Sequence, residues 1–62
     1  MTKITMTNGR GKLEYIRFEM PKKEYVKNKF ETIDKGMKPE PRYKGMKIVE
    51  IGNKVYVWFN FK

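Results

Sequence analysis

Cysteine, histidine, serine, glutamine and alanine are all missing from this sequence. Without cysteine there are no disulfides, and without cysteine or histidine the usual thiolate and imidazole metal ligands are gone. Every His-based catalytic triad is excluded by the same absence. Acidic residues are few: Asp34 and six glutamates stand against 12 lysines and three arginines. Glu14 and Glu19 are five apart in one strand and fall on opposite faces, while Glu24 and Glu31 are seven apart on a helix near Lys27, a solvated arrangement. No carboxylate dyad or metal cluster emerges, so the expectation is a non-catalytic chain with no metal and no cofactor.

Long apolar runs are also lacking. The longest is Val55 to Phe59, far short of the ~20 residues a membrane helix needs, and Met1 to Met6 contains no apolar leader core. The expectation is a soluble, cytoplasmic protein with no membrane partner.

What is present is positive charge and aromatic area. The 62 residues carry a formal charge of +8, which favours acidic partners. A mean hydropathy of −0.82 approaches that of chains unable to bury a core. Four Tyr, four Phe and one Trp placed in periodic segments argue for folding instead. A chain this short buries only roughly 60% of its extended surface. It therefore forms one domain over residues 1–62, and with no disulfide or metal to staple it, a homodimer is the remaining common route to further burial.

The order of elements reads as hairpin 3–20, helix 21–35, extended proline-containing crossover 36–45 and hairpin 46–62. Residues 3–7 and 14–20 alternate with period two, as strands do. A five-residue loop, Asn8 to Lys12, pairs Ile4 with Ile16 and keeps Ile4, Ile16 and Phe18 on one face, where an Asn8-Gly9 turn would not. Pro21 suits the first position of a helix whose apolar stripe is Val26, Phe30, Ile33 and Met37, with Gly36 as its stop. Lys38-Pro39-Glu40-Pro41-Arg42 then runs extended.

A Gly52-Asn53 turn sets the last register: Ile51 opposite Lys54, Val49 opposite Tyr56, Lys47 opposite Trp58 and Met46 opposite Phe59. Met46, Ile48, Val55, Val57, Phe59 and Phe61 then face the helix. The fold expected is α+β, a small two-layer ββαββ domain whose antiparallel sheet of about four strands carries one helix on one face. Strand orders 2-1-3-4 and 1-2-4-3 both satisfy the connections.

One helix covers one face, and the other collects Tyr15, Arg17, Lys47, Val49, Tyr56 and Trp58. Aromatic rings beside cations suit single-stranded nucleic acid, with Tyr15, Tyr56 and Trp58 stacking on bases and Arg17, Lys47, Lys54, Arg10 and Lys12 holding phosphates. Lys47 opposite Trp58 is also spaced for a cross-strand cation–π pair. At the hairpin tip, Gly9-Arg10-Gly11-Lys12 could let the backbone approach an anion, although it is no Walker motif. Duplex DNA is disfavoured, because Glu24 and Glu31 dilute the lysines of the helix.

The competing reading is a protein-interaction module in which the same face docks on an acidic protein, as an inhibitor or adaptor, or forms a dimer seam. The excess of Lys over Arg together with the Ile, Met, Phe, Tyr and Asn content is what an AT-rich genome would give, and the expectation is a small viral or mobile-element protein.

Overall fold

A computed structural model describes all of residues 1–62. The chain forms β1 (Thr2–Thr7), β2 (Leu13–Pro21), a 3-10 turn (Lys22–Glu24), α1 (Lys27–Met37), β3 (Tyr43–Ile51) and β4 (Lys54–Phe61). The strands make one antiparallel sheet in the order β1-β2-β4-β3, the second of the two orders the connections allow. This is the α+β ββαββ architecture expected. No helix is long and apolar enough to cross a membrane.

β4 is central because it alternates cleanly and is rich in β-branched and aromatic residues. Val55, Val57 and Phe59 point to α1 and are fully buried, joined by Met20 of β2 and Phe30 of α1. Phe18, Phe30 and Phe59 form an aromatic cluster with ring centroids 5.9 to 6.4 Å apart. Ile16, Ile33, Met37, Met46, Ile48 and Phe61 pack around this core. The β3–β4 register is the one expected throughout Ile51–Lys54, Val49–Tyr56, Lys47–Trp58 and Met46–Phe59. Gly52 turns the chain at φ +58°, where a side chain is disfavoured.

Three expectations are corrected. The five-residue loop forms, with Thr7 opposite Leu13, but a bulge then leaves Glu14 without an opposite residue and shifts the pairing by one. Ile4 therefore lies opposite Arg17, not Ile16, and turns away from α1. Ile16 and Phe18 keep the helix side because their register is set by β4.

The helix does not begin at Pro21. Pro21 closes β2 opposite Lys54, at φ −60° and ψ 147°, since its fixed φ suits extended backbone as well as a helix start. α1 begins at Lys27 with Val26 as an extended N-cap, so Val26 is 54% exposed and leaves the apolar stripe. Tyr25 takes that place: one residue before the cap, it stacks on Phe30 at 5.8 Å and 13°, a hydrophobic staple across the helix start.

The expected extended crossover is likewise replaced. α1 passes through Gly36 to Met37, and Lys38, in helical conformation, donates its amide to the Asp34 carbonyl. Glu40 N then bonds Met37 O at 2.9 Å and Tyr43 N bonds Glu40 O at 3.1 Å. Pro39 stops the helix and two successive turns, not a polyproline segment, deliver the chain to β3 at Tyr43. Arg42 ties the adjoining strand ends, donating from Nε and Nη2 to the Lys62 carbonyl at 3.2 and 2.7 Å and from Nη2 to Leu13 O at 3.0 Å. The Tyr43 hydroxyl donates to Asp34 Oδ1, fastening α1 to β3.

Candidate nucleic-acid interface

Directly opposed residues share a sheet face, so the registers generate the uncovered face rung by rung. The middle rung runs Ile4, Arg17, Trp58, Lys47 across all four strands. On one side of it lies Met6, Tyr15, Asn60, Gly45, and on the other Thr2, Glu19, Tyr56, Val49. Tyr15, Arg17, Lys47, Tyr56 and Trp58, chosen from alternation alone, are thus brought together, with Lys54 beyond Tyr56 on the same strand face.

Arg17 is the centre of the arrangement. Its guanidinium carbon lies 5.8 Å from the Trp58 ring centroid and 5.9 Å from that of Tyr56, and the two rings are themselves 5.9 Å apart at 32°. The cation–π partner of Trp58 is therefore Arg17 of β2; Lys47, its neighbour on β3, makes no such contact. Arg17 Nε is buried without a hydrogen-bond partner. The guanidinium plane, already stacked on protein rings, is itself a surface on which a base can stack.

Tyr15, Lys47, Val49, Trp58 and Asn60 line a cleft of about 330 Å³ beside this cluster. A larger concavity of about 490 Å³ lies away from it, lined by Pro21, Lys22, Lys23 and Asn53. It has no aromatic side chain, and its Lys22 is within 3.8 Å of Glu50, so it offers neither a stacking surface nor a concentrated field.

The cations of the face are not equivalent. Arg17 and Lys47 have no carboxylate within ion-pair distance, whereas Lys54 Nζ donates to Glu19 Oε1 at 3.1 Å. That hydrogen bond, then the charge of Glu19 itself, holds the Lys54 ammonium above the usual lysine range. Lys54, one of the residues expected to hold a phosphate, is paired with a carboxylate on the same face. Arg10 and Lys12 sit at the exposed hairpin tip. Asn8 organises this loop: its Oδ1 accepts from the amides of Arg10 at 2.8 Å and Lys12 at 3.0 Å, and its carbonyl accepts from Gly11 N at 3.0 Å. Those three amides are turned inward, so the loop offers two side-chain charges and not the backbone anion grip its glycines suggested.

Sequence reasoning passed over Glu19 and Asn60. Alternation from Tyr15 and Arg17 places Glu19 on the same face, and an asparagine inside a strand of aromatic and β-branched residues departs from strand preference. Outside the face, Lys27 and Glu31 approach to 3.7 Å on α1, where the lysines form a charge-mixed surface.

No protein-family model, curated protein or solved structure matches the chain.

Proposed function

We propose that the chain is a small, non-catalytic module that binds single-stranded DNA or RNA along its uncovered sheet face. The observation that carries this reading is the Arg17–Trp58–Lys47 rung flanked by Tyr15 and Tyr56: stacking surfaces and unpaired cations alternate within one face that no element covers. Stacking contributes about 1–3 kcal/mol per base and is available only where bases are unpaired. Tyr15, Trp58 and the Arg17–Tyr56 stack supply the platforms. Arg17 and Lys47, with Arg10 and Lys12 at the β1–β2 hairpin tip, meet the phosphates. A duplex hides its bases, and α1, which buries Phe30 against the sheet and pairs Lys27 with Glu31, lacks the free basic face of a groove reader.

Trp58 is the only tryptophan, so its emission reports on the face directly. Titration with mixed-sequence single-stranded DNA and RNA is expected to quench it saturably, and with a log affinity that falls by roughly 0.7 per phosphate contact as log salt rises. An unchanged signal with both strands overturns the reading and leaves an acidic protein as the partner to seek on the same face.

A further inference from the structure

Resting on the reading just given, we infer that the cleft beside Trp58 is a socket for one nucleobase, read through the Asn60 carboxamide and preferring adenine. Asn60 occupies a rung between Tyr15 and Gly45, and its side chain makes no hydrogen bond within the protein. A half-buried amide on an aromatic strand thus presents a donor and an acceptor side by side with nothing in the fold to answer them. Gly45 keeps the space beside it open. Its φ of +128° is a conformation side chains rarely adopt, and a Cβ built there would meet no atom within 4 Å. Along that rung the β3 position is therefore bare, and Trp58 and Tyr15 flank Asn60 with aromatic surface.

The cleft has room for a whole purine base. At about 330 Å³ the cleft lies at the small end of ligand sites, which run from roughly 300 to 1,000 Å³. A carboxamide pairs with a base edge that offers a donor next to an acceptor. Adenine has two such edges, N6–H with N7 and N6–H with N1, and Asn recognises it bidentately. Guanine and the pyrimidines offer a donor beside an acceptor on the Watson–Crick edge, but the N7–O6 edge of guanine has two acceptors, which suit Arg or Lys. Adenine alone is therefore matched from the N7 side as well. Pyrimidines present a smaller ring to Trp58 and Tyr15. Lys47 at the rim meets the phosphate of the seated nucleotide.

The test is competition among short homopolymers on the intact chain at fixed salt, read by anisotropy of a labelled strand. Oligo-A is expected to bind about tenfold more tightly than oligo-C or oligo-U. Replacing each adenine by unsubstituted purine, which keeps the ring system and removes the 6-amino group, is expected to abolish most of that advantage with the protein unaltered. Asn60→Ala is expected to equalise the homopolymers while leaving the salt slope unchanged. Equal binding of all homopolymers, or no loss with the purine strand, overturns the socket and leaves the binding face standing. Absence of binding to any strand overturns both.

Discussion

Arg17 and Trp58 face one another across the β2–β4 pair, with the guanidinium carbon 5.8 Å from the ring centroid and the Nε atom buried without a partner. An unpaired buried donor costs about 1–3 kcal/mol, against a cation–π gain of about 0.5–2. The two nearly cancel, so Arg17 contributes little to stability, and its place on the face is explained by what it can contact. Arg17→Met is expected to leave the melting temperature within a few degrees of the parent. Single-strand affinity is expected to fall about five- to tenfold and the salt slope by about 0.7, as one stacking plane and one phosphate contact disappear. Thermal melts and salt-dependent titrations of the same variant check the two halves separately.

The core has no such reserve. Phe30 is the one fully buried residue of α1, held between Phe18, Tyr25 and Phe59. Truncating a buried Phe to Ala costs about 3–5 kcal/mol, and a 62-residue domain has about 3–9 in total. Phe30→Ala is expected to be largely unfolded at 25 °C, with far-UV circular dichroism showing loss of the helical signal. Val26→Ala, at the exposed helix cap, is expected to change the urea midpoint very little.

The contrast between Phe30 and Val26 shows what the sequence could and could not convey. The C-terminal hairpin was legible from Met46 onward, because a Gly-Asn turn and a strict two-residue alternation fix register together. Its first residues, Tyr43 to Gly45, were read as crossover because an irregularity in the pairing there breaks the alternation. Phe30, Ile33 and Met37 were legible from helical spacing, but the helix start was not: proline satisfies both a strand end and a first helical turn, and only the Tyr25–Phe30 staple decides between them. Ile4 was misplaced because the bulge at Glu14 arises from competition between the loop, which sets Thr7 opposite Leu13, and the β2–β4 pairing, a long-range constraint invisible in a local pattern. For the candidate face, alternation placed Tyr15, Arg17, Lys47, Tyr56 and Trp58 on one side of the sheet, where the registers have them. It could not show that Arg17, not Lys47, lies over Trp58, nor that Glu19 claims Lys54, since both depend on side-chain reach between strands distant in sequence.

The Tyr43–Asp34 hydrogen bond yields a prediction in pH. Partial burial, then the bond to Asp34 and its negative charge, push the Tyr43 hydroxyl well above its ordinary value near 10. The folded state therefore holds this proton more tightly than the unfolded chain. The corresponding stability is fully present below about pH 10 and is lost as pH rises toward the higher folded value. Tyr43→Phe removes the group and with it this part of the pH dependence. At pH 8 the variant is expected to be less stable by about 1 kcal/mol. The gap between parent and variant is expected to narrow between pH 10 and 11, as measured by urea midpoints; a gap that widens there would show that the bond does not retain the proton.

Glu19 is the carboxylate on the rung beside that of Arg17 and Trp58, and its pairing with Lys54 at 3.1 Å sets how many cations are available there. Both side chains are partly open to water, so the pair adds little to folding, and Glu19→Gln is expected to leave the melting temperature nearly unchanged. On the face its effect is larger. The substitution removes a negative charge that repels phosphate and releases the Lys54 ammonium, which remains charged at neutral pH with or without its partner. Single-strand affinity at low salt is expected to rise several-fold, and the salt slope to steepen by about 0.7 as one further phosphate is neutralised. Lys54→Ala in the parent is expected to weaken binding far less than Lys47→Ala, because Lys54 is already engaged. In the Glu19→Gln background the two lysine substitutions are expected to cost about the same. If Lys54→Ala were as damaging as Lys47→Ala in the parent, the Glu19 contact would have to break on binding, and the affinity gain from Glu19→Gln would then be its measure.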